Sequence, residues 1–184
     1  MPHNDNQVKL KLLKIDINKI QKAMEDVSRD AFDYFLDLET GEVITVSVDV
    51  LEKAEDSLYK TYDEPITDEK EVEEFDMPEW VEKEVELAIK IFSDEGRYLR
   101  IPERESKEAY GLMEEFTESV TELHPHDELL SALGSPNAFS RFKKALSDFP
   151  SYKEKWFAFN ARAMKKTIND WLASIEIKPE QGYY

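Results

Sequence analysis

The chain has 184 residues, long enough to bury a core and fold as one domain or as two small ones. It contains no cysteine, so disulfides, zinc–thiolate sites and a cysteine nucleophile are excluded. Its 24 Lys and Arg against 41 Asp and Glu give a formal net charge of −17, which argues against binding nucleic acid or anionic membranes with the surface as a whole.

The charge is unevenly distributed along the chain. Residues 63–95 carry 14 acidic against three basic side chains, whereas residues 138–184 carry nine basic against five acidic. The N-terminus lacks the apolar core of a secretion signal, and no apolar run approaches the roughly 18 residues of a membrane span. We therefore expect a soluble, cytoplasmic protein with an acidic middle and a mildly basic end.

The stretch 33–47 predicts a β-hairpin, around which we expect the first half of the chain to be organised. Tyr34, Leu36 and Leu38 fall on one face of an extended run, and β-branched residues follow a reversal that contains Gly41. Gly41 is expected in the left-handed region, where a side chain would cost roughly 1 kcal/mol or more. A lone hairpin is marginal in water, so the flanking helices are expected to cover one of its faces.

Two further strands are predicted to join this hairpin. Around residues 8–12, Val and Leu alternate with two lysines, which are expected on an exposed face. Residues 97–102 are short and extended, because Pro102 keeps Ile101 out of the helical region.

Helical spacing of apolar residues accounts for most of the remaining chain. Asp16 is a plausible N-cap for a helix from 17 to about 27, Asp49 for the next helix, and Ser106 for one that runs to about 121. Between them, a helix opens near Pro78, with Trp80, Val81, Val85, Ala88, Ile89 and Phe92 on its expected buried side. Later helices are expected up to Leu133, from Ser135 or Asn137 onward, and after Pro150 to about Ile175.

The predicted fold class is therefore α+β. A small antiparallel sheet built on the hairpin occupies the N-terminal half, and a helical C-terminal half follows. We place a soft boundary between an α+β subdomain, residues 1–104, and a helical subdomain, residues 105–184, with a single domain as the alternative. The acidic stretch 63–76 is interpreted as a mobile loop.

Several blocks of this sequence resemble uncharacterised protein family 0158, a bacterial group. They are residues 34–43, 97–102, 138–143 and 156–159, and Trp171-Leu172. The resemblance spans nearly the whole chain, although the acidic insert near 62–76 is longer than the family pattern. It implies a fold and no established activity, cofactor or catalytic residue.

Two polar clusters are candidate metal sites. Asp33, Asp37, Glu39 and Glu42 supply oxygen ligands of the kind that hard cations prefer, but without the spacing of a calcium loop; the alternative is that Asp37 bonds the turn backbone. His124 and His126 lie two residues apart around Pro125, in a predicted loop, and do not share a helix face. A metal-dependent hydrolase there is the least favoured reading, and we assign no catalytic, cofactor-binding or metal residue.

Basic residues near the C-terminus form the candidate binding surface. They alternate with Phe142, Tyr152, Trp156 and Phe157, so they offer phosphates a charge and bases a stacking platform. The competing interpretation is that they are outer faces of amphipathic helices whose aromatic rings fill the core. The candidates are Arg141, Lys143, Lys144, Arg162, Lys165 and Lys166.

The hypothesis that follows is a non-enzymatic binding or regulatory module that contacts another protein. Helix, strand and turn patterns account for most of the chain, whereas the sequence contains no nucleophile elbow, phosphate-binding loop or metal-binding motif. Association with nucleic acid through the basic C-terminal helices is the alternative. A homo-oligomer is also compatible with the charge layout, because an acidic middle and a basic end attract each other between copies.

Overall fold

A computed structural model describes residues 10–63, 78–94 and 96–180. It confirms the α+β class, with a small antiparallel sheet in the N-terminal half and helices in the C-terminal half. In chain order, the elements within those residues are β1 (Lys11–Leu13), α1 (Ile17–Glu25), β2 (Phe32–Asp37), β3 (Val43–Ser47), α2 (Val48–Asp63), α3 (Glu79–Ser93), β4 (Tyr98–Arg100), α4 (Ser106–Ser119), α5 (Leu123–Leu133), α6 (Ala138–Asp148), α7 (Pro150–Ser174) and β5 (Ile177–Pro179).

The backbone divides into two compact units. The sheet unit falls within Met1–Glu103 and Ile177–Tyr184, and the helical unit is Arg104–Glu176. The predicted partition of the chain into 1–104 and 105–184 stays a prediction.

The central sheet has the strand order β3-β2-β4, and both pairings are antiparallel. This confirms the hairpin and its neighbouring strand. The hairpin turn closes through a hydrogen bond from the Gly41 N–H to the Asp37 carbonyl at 2.8 Å, with Gly41 at a φ of 79°. A Cβ at Gly41 would overlap the Lys14 carbonyl oxygen, so glycine is required both by conformation and by the close approach of the chain.

The N-terminal strand was assigned to the wrong sheet. β1 pairs in parallel with β5, which places Lys11 opposite Ile177, and it does not extend the hairpin. The expected burial pattern was also wrong, because Leu10 and Leu12 are exposed and the buried position is Leu13. Strand β5 begins shortly after the end of α7, has three residues and contains a proline. These features do not predict a strand from the sequence.

The core of the sheet unit lies between the sheet and the helix pair α2 and α3. Its buried members are Phe35, Val46, Val50, Leu51, Ala54, Ala88 and Ile91. Helix α2 begins at Val48, so Asp49 lies in its first turn and does not cap it as predicted. Three apolar residues predicted as buried are instead exposed: Val27, Trp80 and Phe92.

The helical unit packs around a set of aromatic rings. Phe142 is fully buried, and its ring lies 5.1 Å from the ring of Trp156 and 6.5 Å from that of Phe116, measured between centroids. Buried aliphatic residues from α4, α5 and α6 complete the core: Met113, Val120, Leu129, Leu133 and Leu146. Helix α7 includes Pro150 in its first turn, whereas the helix was expected only after this proline; proline suits a first helical turn because its missing N–H would have no intrahelical partner there.

Two predictions cannot be compared with the structure. The interpretation of 63–76 as a loop falls outside the described residues from position 64 onward, and so does Val8 of the predicted first strand.

Candidate binding surface

Asp37 is the carboxylate that organises the hairpin turn. It accepts hydrogen bonds from the Glu39 N–H at 2.8 Å and from two nitrogens of the Arg97 guanidinium at 2.9 and 3.2 Å. Burial alone would raise the pKa of Asp37, but the Arg97 guanidinium and the turn N–H groups outweigh it and lower the pKa to about 2. The predicted structural role of Asp37 is confirmed.

Asp33 lies four residues earlier on β2 and is held by two arginines. Its carboxylate contacts the Arg29 guanidinium at 3.1 Å and also pairs with Arg100. The Arg29 side chain is only 6% exposed and donates to the backbone carbonyls of Ala23 and Ile101. Both buried carboxylates of the hairpin are therefore neutralised by guanidinium groups, as buried charges must be.

A third polar contact ties the same strand to the segment after α1. The Tyr34 hydroxyl donates to Asp26, which lowers the pKa of the Asp26 carboxyl and raises the pKa of the Tyr34 hydroxyl. The Arg29 guanidinium lies 5.1 Å from the centroid of the Tyr34 ring. These polar groups hold β2 in position.

The two histidines lie in the first turn of α5 and not in a loop as predicted. The His124 ring packs edge-on against Phe149 at 5.4 Å, and His126 Nδ1 lies 3.2 Å from Asp127. Within the described residues, no group of three or more His, Asp or Glu is arranged to hold a metal ion.

The six basic candidates are all exposed, on α6 and α7. Arg162 and Lys166 are four residues apart, so they share one side of α7, and Arg141 and Lys144 share one side of α6 in the same way. Lys143 projects from a different side of α6, about 160° around the helix axis from Arg141 at 100° per residue. That the six basic residues form one binding surface stays a prediction.

Most aromatic residues proposed to alternate with these charges are part of the core. Phe142 and Tyr152 are buried, and Trp156 packs against the same cluster. Only Phe157 among the four is exposed, at 58%. Of the four rings predicted to stack with bases, Phe157 alone is therefore exposed enough to do so.

The sequence did not reveal a groove beside β3 in the sheet unit. We call it the β3 groove; its volume is about 460 Å³, and it is lined by Phe32, Thr45, Ser47, Val50, Trp80 and Val81 and by the charged residues Asp49, Lys53 and Glu84. Trp80 is 64% exposed and Phe32 is 43% exposed. Two large aromatic side chains thus remain accessible at one surface cavity.

The signal for this groove is present in the sequence but is ambiguous. Helical periodicity places Trp80 near the stripe that contains Ala88, but Trp80 lies in the first turn of α3. Burial along α3 is complete only at Ala88 and Ile91, more than two turns further on. Periodicity indicates which side of a helix is apolar, and it does not show where along the helix the partner layer ends.

The geometry defines an α+β protein whose internal polar groups stabilise the sheet and whose accessible aromatic side chains line a surface groove. The model of an uncharacterised protein family, UPF0158, matches residues 66–181, which is more than half of the chain. The chain belongs to this family. The resemblance inferred from the sequence is therefore confirmed, although the hairpin lies before the matched range.

The chain is also similar to a bacterial protein, the UPF0158 protein PA5073 of Pseudomonas aeruginosa. The two are 25% identical over 167 residues, which cover 91% of this chain and 86% of the relative. No solved structure matches the chain. Among the described residues, the helices are all too short or too polar to cross a membrane.

Proposed function

We propose that the protein is a non-enzymatic, cytoplasmic binding module that contacts another protein through the β3 groove. The observation that carries this proposal is the pair of exposed aromatic side chains, Trp80 and Phe32, at one cavity of about 460 Å³. Tryptophan is the side chain most enriched among residues that dominate protein–protein binding energy.

Exposure of Trp80 is costly without a partner. Burying a large apolar side chain stabilises a complex by roughly 1.5–3 kcal/mol, so a tryptophan left in water gains much on docking. The other lining residues suit an interface as well, because Thr45 and Ser47 offer hydroxyl groups beside the apolar Val50 and Val81. An apolar centre with polar groups around it is the usual organisation of a protein interface.

The use of the buried carboxylates supports the non-enzymatic part of the proposal. Acid–base catalysis needs a carboxyl group whose pKa is tuned toward neutral pH and whose oxygens can reach a substrate. Asp37 has a pKa of about 2, and its oxygens already accept hydrogen bonds from Arg97 and the turn backbone. Asp33 is similarly held between Arg29 and Arg100.

The test compares partner capture by three purified full-length proteins: the wild type, Trp80→Ser and Phe157→Ser. Phe157 is a matched control, because it is an aromatic residue of similar exposure, 58%, on a helix of the other unit. Each protein is immobilised and exposed to a lysate of the source cells. Captured polypeptides are quantified by mass spectrometry, and the most abundant one is purified and titrated back by calorimetry.

We expect one polypeptide at near-stoichiometric yield with the wild type and with Phe157→Ser. Trp80→Ser should weaken its binding at least tenfold in the reconstituted titration. Recovery of nothing above background would contradict the proposal. Equal binding by all three proteins would also contradict it, because the β3 groove would then not be the contact surface.

A further inference from the structure

The outer edge of β3 presents free backbone groups along the groove. The backbone N–H of Asp37 donates to the Glu42 carbonyl, and the N–H of Val48 donates to the Ala31 carbonyl; these bonds fix the antiparallel register. In that register, Ile44 and Val46 direct their N–H and C=O groups toward β2. By alternation, Val43 and Thr45 direct theirs away from the sheet. Ser47 offers only its N–H there, because α2 begins at Val48 and the Ser47 carbonyl accepts the first hydrogen bond of that helix. Within the described part of the chain, no strand pairs with that side of β3.

The opposite edge of the same sheet is protected in a way that β3 is not. Strand β4 has only three residues, and Arg97 and Arg100 lie along it, paired with Asp37 and Asp33. Strand β3 has five residues, Val-Ile-Thr-Val-Ser, with neither a charge nor a proline. Proteins usually protect exposed edges with short strands, charges or prolines, so an unprotected edge in a chain with 35% charged residues indicates a pairing surface.

We infer that the β3 groove takes an extended, basic polypeptide segment that adds to β3 as a fourth strand; this deepens the proposed function and rests on it. The segment would exchange backbone hydrogen bonds with Val43 and Thr45 and accept one from the Ser47 N–H. Alternate side chains of an added strand point to opposite faces, so one set meets the apolar surface of Trp80 and Val81. Apolar residues alternating with polar ones fit this geometry.

The charge around the groove indicates a basic partner. Helices α2 and α3 flank β3, and over residues 48–58 and 79–93 they together carry eight acidic and three basic side chains. Two acids, Asp49 and Glu84, and one base, Lys53, line the groove itself, all exposed to solvent, so the groove carries a net negative charge. Lysine or arginine at the polar positions of the added strand would meet this field, which also steers association.

The same charge argues against a second copy of this chain as the occupant. Pairing of β3 with β3 across a two-fold axis would bring two acidic α2 and α3 pairs to one interface. Like charges at close range oppose that assembly. A basic segment of another protein has no such penalty.

The test uses two synthetic libraries of ten-residue peptides. In the first, Val, Ile, Phe or Tyr alternates with Lys or Arg; in the second, the same apolar residues alternate with Asp or Glu. Binders selected on the wild type are measured by fluorescence anisotropy against Thr45→Pro and Thr45→Val. Proline removes the outward N–H of Thr45 without touching the β2 ladder, whereas valine retains it and changes only the side chain.

We expect binders from the basic library only, at least tenfold weaker with Thr45→Pro and within about twofold of the wild type with Thr45→Val. A second arm needs no protein variant: N-methylation of alternate amides in a selected peptide should abolish binding in one register and spare it in the other. Amide exchange at Val46 confirms that Thr45→Pro keeps the hairpin folded.

Three outcomes would overturn the inference: no binder from the basic library, preference for the acidic one, or binding indifferent to both backbone changes. A wild-type dimer lost with Thr45→Pro, seen by sedimentation, would make a second copy the occupant and overturn it as well. If a cellular partner still depends on Trp80 while binding ignores the backbone changes, strand addition fails and the proposed function stands. Loss of that Trp80 dependence removes the proposed function itself.

Discussion

The two units of this protein each have a hydrophobic core, but they differ in the interactions that accompany it. In the sheet unit, two carboxylates on one strand, Asp33 and Asp37, are buried and neutralised by arginines. In the helical unit, Phe116, Phe142 and Trp156 pack edge to face, with centroids 5.1 to 6.5 Å apart. Among the described residues, every ring–ring contact lies in the helical unit.

This contrast bears on function. Most aromatic residues of the helical unit have a structural task, because they contact one another in a core; Phe139 and Phe157 are exposed. In the described part of the sheet unit, Phe35 is the one buried aromatic member of the core, while Trp80 and Phe32 remain exposed. A large ring that a core does not use is available for a partner. The sheet unit places two such rings at one groove, and this makes the β3 groove the better candidate for a binding surface.

Removal of a ring from the aromatic core should have the largest effect on stability. We expect Phe142→Ala to lower the free energy of unfolding by about 3–5 kcal/mol, since Phe142 is fully buried and contacts two other rings. Chemical denaturation and amide exchange in α4–α7 measure it. Phe157→Ala, at an exposed ring, should change stability by no more than about 0.5 kcal/mol. Equal effects would mean that the rings do not form the core.

The hairpin turn offers the next largest effect, this time in the sheet unit. Gly41→Ala should cost roughly 2–4 kcal/mol, because it combines a φ of 79° with overlap of the Lys14 carbonyl. Gly96→Ala is a matched control: Gly96 also has a positive φ, 90°, but a Cβ there meets nothing within 4 Å. It should cost only the conformational part, about 1–2 kcal/mol. If both variants lose the same stability, the contact with Lys14 is not significant.

The ionic part of the comparison predicts a pH dependence. The pKa of Asp37 is about 2 in the folded protein and roughly 3.9 in an unfolded chain. The ionised carboxylate therefore stabilises the fold fully at pH values above the unfolded pKa. This stabilisation is lost as the pH falls from about 5 to 2. Asp37→Asn should destabilise by about 2 kcal/mol at pH 7 and by much less near pH 2.

Urea unfolding at pH 7, 4 and 2.5 measures this dependence. Glu39→Gln removes the exposed second partner of Arg97 and serves as the control, with an expected change below about 1 kcal/mol. A loss for Asp37→Asn that is the same at every pH would show that the carboxylate acts through shape and not through charge. Phe142→Ala should show no such pH dependence, which separates the two units.

The sequence was sufficient for local structure and insufficient for the layers that residues enter. The hairpin and the Gly41 turn each depend on neighbouring residues, and both were predicted. The pairing of β1 with β5 joins residues more than 160 positions apart, and no local pattern encodes it. Trp80 was predicted as buried because helical period does not show how far the facing layer extends.

The candidate site was harder to predict than the fold for the same reason. Basic residues on α6 and α7 are visible in composition, whereas the groove requires four segments to converge: Phe32 of β2, the strand β3, the start of α2 and the start of α3. An unprotected edge likewise becomes apparent only when the strand order is known. The C-terminal charges can therefore be read from composition, whereas the exposed edge of β3 follows only from topology.

The smallest predicted effect concerns how helices begin in the two units. Asp16 caps α1 by accepting from the N–H groups of Asn18 and Lys19 at 2.9 and 3.3 Å, whereas α4 begins after Glu105 without a side-chain cap. Asp16→Ala should therefore cost about 1 kcal/mol and Glu105→Ala no more than about 0.5 kcal/mol, measured by chemical denaturation. An equal cost would mean that α4, despite its packing on the aromatic core, depends on its first residue as much as α1 does. The contrast between polar and aromatic stabilisation would then not extend to the helix ends.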